Sequence, residues 1–226
     1  MGLVFEIENL KKYYGEETIL NEINLRVEAG ELLAITGESG CGKTTLLSIL
    51  GLLQDPSEGR MKINGQKVLD LTAVERAKIR QTHIGFVFQR ARLVGSLTAL
   101  ENVLLPAWLF RQETAAVYDR AKQLLLDLGL KKRRHYLPEQ LSLGQMRRVA
   151  LARALLFEPS ILLADEPTND LDPASASIVF EQLKNAQHAG AAVILVTHDV
   201  TYASQAERIF ELSNGKLQQT DSLAAL

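Results

Sequence analysis

The sequence predicts an α/β fold: a mostly parallel central sheet, an antiparallel β subdomain beside it and a helical subdomain inserted into the core. Three observations predict it. Short β-rich runs alternate with longer helical stretches, the form taken by strands joined through helical crossovers. Two apolar runs, Ile161–Ala164 and Ala191–Val196, contain no alternating polar residues, as expected of strands covered on both faces. The first third departs from this pattern. There Val4–Glu8, Ile23–Val27, Glu31–Thr36 and Arg60–Ile63 are closely spaced strand-like runs, and Asn64-Gly65 is a tight-hairpin dipeptide, so an antiparallel layer is expected from them.

The chain has 226 residues, 46% of them hydrophobic, which suits one domain over 1–226. Helical spacing runs over Lys43–Leu53, Ala115–Leu128, Leu143–Phe157 and Ala174–Ala189, with Ser142 and Pro173 as cap and first-turn residues. The segment from Ala91 to Pro138 is the least β-like, which places the helical subdomain at about 91–158.

Composition excludes several function classes. Lysine and arginine total 25 against 27 acidic residues, so no strong basic field exists to hold nucleic acid. Cys41 is the single cysteine, so no intramolecular disulfide forms and a reducing compartment is expected. The opening MGLVFEIENLKKYYG alternates apolar and polar residues, unlike a signal peptide. The longest apolar stretches, such as Leu104–Phe110, fall far short of the ~20 residues of a membrane helix, so membrane association is expected through a partner. Lys131–Arg134 reads as a solvated helix end, and Trp108 and Phe110 as core or interface residues. Few residues follow the Asn214-Gly215 turn, so control is expected from a partner or from expression.

Residues Gly37, Glu38, Ser39, Gly40, Cys41, Gly42, Lys43 and Thr44 spell GESGCGKT, a full match to the phosphate-binding loop GxxxxGK[ST]. The context agrees: the strand Leu32–Ile35 precedes it and an amphipathic helix follows. Glycines at 37, 40 and 42 let the backbone curl until its N–H groups point inward, and the helix directs its positive end at the same anion. Lys43 is expected to reach the β- and γ-phosphates of ATP, Thr44 to give its hydroxyl to Mg²⁺ and Thr45 to bond the α-phosphate. Cys41 reads as a small residue at a variable position, without an activating histidine near it in sequence.

From Ile161 the chain runs ILLADEPTNDLD, delivering Asp165 and Glu166 to the carboxyl edge of the sheet, where ligands of open α/β folds bind. Asp165 suits water-mediated Mg²⁺ coordination. Glu166 is placed to polarise the water that attacks the γ-phosphorus. Val193–Val196 leads in the same way to Thr197, His198 and Asp199, so His198 is expected to sense the γ-phosphate.

Taken with FVFQ ending at Gln89, LSLGQ at 141–145, NDLD at 169–172 and VTHD containing His198, the chain resembles the ATP-binding-cassette ATPases over essentially its whole length. The resemblance implies a P-loop NTPase core that hydrolyses ATP and pairs with a second copy of itself, sandwiching two ATP molecules. It implies that Tyr14 stacks on adenine, with Tyr13 the lesser choice, and that Gln89 bridges Mg²⁺ and a membrane permease subunit. Ser142, Leu143, Gly144 and Gln145 then open a helix aimed at the γ-phosphate on the opposite subunit, and Asp172 crosses the interface. The family signature usually reads LSGGQ; here Leu143 replaces the first glycine and Met146 follows where a polar residue is common.

Within that superfamily, IGFVFQRARLVGSLTALENVLLP resembles bacterial macrolide-efflux, lipoprotein-release and haem-efflux ATPases. That implies export or extraction, a four-helix permease with a large external domain, and a peripheral position on the cytoplasmic face of the inner or plasma membrane. Roughly Arg90–Pro106 is the expected docking groove. Chromosome-maintenance relatives need a long coiled coil, and residues 90–141 show no sustained heptads. Translation-factor relatives carry two cassettes and a basic linker, which this sequence lacks. A regulatory cassette controlling a cell-envelope enzyme through its membrane partner stays open as the alternative.

Overall fold

The computed structural model describes residues 2–220. Residue 1 and residues 221–226 of the expected domain 1–226 lie outside the described residues. In chain order the strands are β1 (Leu3–Tyr14), β2 (Glu17–Glu28), β3 (Leu32–Thr36), β4 (Glu58–Ile63), β5 (Gln66–Lys67), β6 (Ile84–Val87), β7 (Ile161–Asp165), β8 (Ala192–Val196), β9 (Arg208–Ser213) and β10 (Lys216–Thr220). The helices are α1 (Lys43–Leu50), α2 (Ala73–His83), α3 (Ala99–Phe110), α4 (Ala115–Asp127), α5 (Leu143–Leu155), α6 (Pro173–His188) and α7 (Val200–Ala203).

The central sheet has the order β10-β9-β3-β8-β7-β6. Every neighbouring pair in it is parallel except β10 with β9. A smaller antiparallel sheet has the order β2-β1-β4-β5. Asn64 and Gly65 make its hairpin with left-handed backbone at both positions, and Ile63 faces Gln66 across the turn. The expected placement of Glu31–Thr36 in this antiparallel layer is overturned, because β3 pairs in parallel with β8 and β9. All five β3 residues are buried. A strand buried on both faces has no place in a layer with one wet side.

The period-2 geometry of the strands divides the core in two. Leu33, Ile35, Ile161, Leu163, Ile194 and Val196 face α1 and the antiparallel sheet, joining Phe5, Ile7, Leu46 and Leu50. Their alternate neighbours Leu32, Leu162, Ala164, Val193 and Leu195 face the other way, onto Val103, Leu124, Val149, Val179 and Phe180 of the helices. Three helices begin with reciprocal caps: Thr72 with Glu75, Thr98 with Glu101 and Ser142 with Gln145. Each such cap stabilises its helix by about 1 kcal/mol. Among the described residues no helix is long and apolar enough to cross a membrane.

Strand β6, which leads to Gln89, packs against α5 through Gly85. A Cβ there would lie 2.6 Å from the Ala154 carbonyl oxygen and 2.8 Å from Pro159 Cγ. Gly85→Ala therefore has to push β6 off α5, and a denaturant titration should show it less stable by about 1–3 kcal/mol.

Candidate functional site

Three strand ends meet at one edge of the central sheet and are stitched together by backbone bonds. The Thr197 amide donates to the Ile35 carbonyl at 3.2 Å, and the Glu166 amide donates to the Val196 carbonyl at 2.9 Å. These bonds hold the carboxyl ends of β3, β8 and β7 in step, so the loops that follow open side by side. Between those loops lies a cavity of about 460 Å³ lined by Ser39, Gly40, Gly42, Lys43, Thr44, Thr45, Gln89, Asp165, Glu166 and His198.

The loop after β3 has left-handed backbone at Gly37, Gly40 and Gly42, with φ of 139°, 83° and 107°. At Gly37 the constraint is also spatial, since a Cβ would lie 2.3 Å from the Leu212 carbonyl oxygen. No residue with a side chain fits both requirements. Lys43 folds back over this loop, its ammonium donating to the carbonyls of Gly37 at 2.6 Å and Glu38 at 2.7 Å. Cys41 Sγ lies 3.9 Å from the same ammonium. A larger open cavity of about 810 Å³ continues past Gly37–Cys41 to Glu17, Ile19 and Ser213–Gly215.

Thr44 Oγ1 donates to Asp165 Oδ2 at 2.9 Å. Asp165 is 3% exposed. Burial pushes its carboxyl up from the ordinary range and Glu166 adds to that, while the Thr44 hydroxyl and Lys43 pull it down. A hydroxyl, a buried carboxylate and the Gln89 amide around one cavity are the oxygen-rich set that suits Mg²⁺, an ion that keeps waters and takes phosphate oxygens as further ligands. Asp165 has the need for such a cation, because its charged form is costly where it stands.

Glu166 has a left-handed φ of 47°, an uncommon conformation for a non-glycine residue. That twist turns its carboxylate toward the end of β8. Glu166 Oε2 lies 2.9 Å from His198 Nδ1 and accepts from the His198 amide at 3.4 Å. The histidine side chain is 60% exposed and that of Glu166 only 11%. A mostly buried carboxylate is thus held by an imidazole that faces the cavity mouth.

The remaining expected residues lie apart from this cavity. Tyr14 is half exposed at the end of β1, accepts a hydrogen bond from Gln54 Nε2 and lines neither cavity. Ser142 caps α5: its hydroxyl accepts from the Gln145 amide at 3.2 Å, and Gln145 Oε1 accepts from the Ser142 amide at 3.1 Å. Leu143 stands exposed in the first turn, and Gly144 faces Leu171 and Ser175. Asp172 caps α6 by accepting from the Ser175 amide at 3.0 Å, and the Ser175 hydroxyl, with that amide after it, holds its carboxyl below the usual range. The signature turn and the 169–172 loop therefore meet each other within one chain, and none of Ser142–Gln145 lines the cavity of Lys43 and Glu166.

Sequence reasoning missed Arg147, which is 5% exposed and donates to Asp170 Oδ2 at 3.4 Å, tying α5 to the 169–172 loop. Asp170 lies in the NDLD segment, but no motif names Arg147, so no signal in the chain marks the pair. The docking surface expected along Arg90–Pro106 meets an apolar groove at one end. A cavity of about 380 Å³ is lined by Phe86, Phe88, Leu105, Pro106, Leu109 and Phe110, with further residues from α2 and α5. Only Leu105 and Pro106 come from the expected stretch, because α2 and β6 supply the opposite wall.

Because the fold favours the protonated Asp165, this group stabilises the nucleotide-free chain below its unfolded value near pH 4 and costs stability as pH rises through its raised folded value. Asp165→Asn keeps an acceptor for Thr44 without the charge. Thermal melts of the nucleotide-free variant should show a higher midpoint than wild type at about pH 8, with the difference vanishing toward about pH 4.

A family model described as ABC transporter matches residues 20–169. The macrolide export ATP-binding/permease protein MacB of Pasteurella multocida is 43% identical over 218 residues, covering 95% of this chain and 34% of that relative. MacB of Pectobacterium atrosepticum is 46% identical over 200 residues, covering 88% of this chain and 31% of the relative. The chain thus spans about a third of the length of these relatives. Among solved structures, the dimeric post-hydrolysis state of the ATP-binding cassette MJ0796 bound to ADP and Pi matches with a TM-score of 0.88 at 38% identity, covering 96% of this chain and 97% of that one.

Proposed function

Because the chain belongs to the ABC transporter family, as one of its ATP-binding and ATP-hydrolysing cassettes, we propose that it is the motor of a membrane exporter or extractor. In this reading two copies close around two ATP molecules and drive a conformational change in a partner permease. The observation that carries it is Glu166, held by His198 in the same cavity as Lys43, Thr44 and Asp165.

The inward N–H groups of Gly37–Thr45 cradle the phosphates, with Thr45 at the α-phosphate. Lys43 leaves the carbonyls of Gly37 and Glu38 for the β- and γ-phosphates, a short swing that replaces two neutral acceptors with charged ones. Thr44 and Gln89 would hold Mg²⁺, with Asp165 reaching it through water, and that ion would supply neutralisation of the phosphate charge. Glu166 accepts the proton of the attacking water, a step that contributes about 10²–10⁴ in rate. His198 keeps its carboxylate aimed and meets the γ-phosphate. Tyr14 serves the adenine of the same ATP.

The opposite subunit completes each site. Ser142, Leu143, Gly144 and Gln145 are the exposed positive end of α5 and face the partner copy's γ-phosphate. None of the four lines the cavity of this chain's own Lys43 and Glu166, which supports action in trans. Asp172, beside them, crosses the interface.

The apolar groove between β6 and α3 supports a permease docking segment, with Leu109 68% exposed at its rim. We infer a permease of four membrane helices with a large external domain, and a peripheral place for this chain on the cytoplasmic face of the inner or plasma membrane. The MacB relatives are named for macrolide export and combine cassette and permease, which supports export. They also extend well beyond the match.

Glu166→Gln should lower steady-state hydrolysis by about 10²–10⁴ while nucleotide affinity holds, since it removes the base and keeps the binding groups. Lys43→Ala should instead weaken nucleotide affinity itself in a titration, and unchanged affinity would contradict the loop's role. The partner is tested by tagged recovery from detergent-solubilised membranes of the native host. Co-purification of a four-helix permease is expected, and recovery of no membrane protein would overturn the transporter reading.

A further inference from the structure

Gln89 is the one residue of the nucleotide cavity whose chain neighbours also build the apolar groove. Phe88, immediately before it, lines the groove and stacks on Phe86 with ring centres 4.2 Å apart. Immediately after it the backbone enters an irregular stretch, 90–98, with Arg92 in a left-handed conformation at φ 45°. A loop of this kind keeps its shape only where neighbouring groups fix it.

Besides the Thr98–Glu101 cap, side chains of α3 and α5 do so. The fully buried Asn102 accepts from the Val94 amide at 2.8 Å and donates to the carbonyls of Val94, Leu97 and Thr98, fixing the far half. Arg153, in the last turn of α5, fixes the near half. Its Nη2 donates to the Ala91 carbonyl at 2.9 Å and its Nη1 to the Arg92 carbonyl at 3.0 Å. Arg153 also lines the groove. The guanidinium fork suits this arrangement, since two adjacent carbonyls take two of its fixed N–H groups at once.

The same helix opens with Ser142–Gln145. We propose that Arg153 is a positioning residue that ties the Gln89 loop to α5, so that the groove, the nucleotide cavity and the signature end of α5 shift together. This rests on the transporter reading for what fills the groove, and on hydrogen-bond geometry for the tie itself. Displacing Ala91 and Arg92 from below would then move Gln89 and drag α5, while α5 repositioned by a partner copy's nucleotide would bear on the groove.

The test compares wild type with Arg153→Lys and Arg153→Met in the complete chain and in its purified membrane complex. Lysine keeps the charge without the fork, and methionine keeps a stem without donors. Amide hydrogen exchange over 90–98 should speed up by about tenfold or more in both variants, as expected for two lost hydrogen bonds. ATP affinity should stay within about threefold of wild type, while stimulation by the membrane partner falls about tenfold through kcat with KM held. Gln89→Ala combined with either variant should cost no more than Gln89→Ala alone.

Wild-type exchange over 90–98 in both variants would overturn the tie. So would intact stimulation, or a loss explained wholly by weaker ATP binding. If wild type recovers no membrane partner, the transporter reading fails separately, and the exchange result decides the role of Arg153.

Discussion

The Thr44–Asp165 hydrogen bond joins the first turn of α1, which follows β3, to the end of β7, a strand that is not a neighbour of β3. Strand β8 lies between β3 and β7 in the sheet, so this 2.9 Å contact bridges over its end. It forms only because backbone bonds at Thr197 and Glu166 keep the three strand ends level. The apolar strands beneath are buried on both faces, and a slip of one residue would send each side chain into the wrong core. The register of these buried central strands thus sets the spacing of the polar groups at the sheet's edge.

Those polar groups are held in arrangements that cost something while the site is without ligand. Asp165 is buried with a carboxyl pushed upward, Glu166 sits in a left-handed backbone, and Lys43 rests on neutral carbonyls. Polyphosphate with a divalent cation relieves two of the three at once, by supplying a charge for Asp165 and charged acceptors for Lys43. Binding energy available in this form favours a site that tightens around nucleotide, consistent with cassettes that close in pairs.

Much of this was legible in the chain. The GESGCGKT loop is local in sequence, and strand and helix flank it, so its curled glycines and its place at the sheet edge followed from residue types. The buried strands of Asp165 and His198 announced themselves by having no polar alternation. Glu31–Thr36 misled because closeness in sequence to two antiparallel strands outweighed its own apolar character, whereas its partners Val193–Val196 and Arg208–Glu211 lie far along the chain. The apolar groove overlaps the expected docking stretch only at Leu105 and Pro106, because it is assembled from α2, β6, α3 and α5, and a single stretch cannot disclose a surface built by four. Arg147 and Arg153 act through contacts with distant backbone or side chains, Asn102 acts on the loop just before its own helix, and nothing in their local pattern separates them from ordinary helix residues. Gln89, Asp172 and Ser142–Gln145 came from family resemblance alone, since their proposed work needs a second chain.

The central claim is that ATP is held between two copies of this chain and cleaved with Glu166 as base. Sedimentation of the purified Glu166→Gln protein with ATP and Mg²⁺, set against the same protein with ADP, tests it most directly. A stable species of two chains retaining two ATP molecules in the first case and monomer in the second is the expected result. A protein that stays monomeric with ATP bound, or that returns ADP at the wild-type rate, would contradict it.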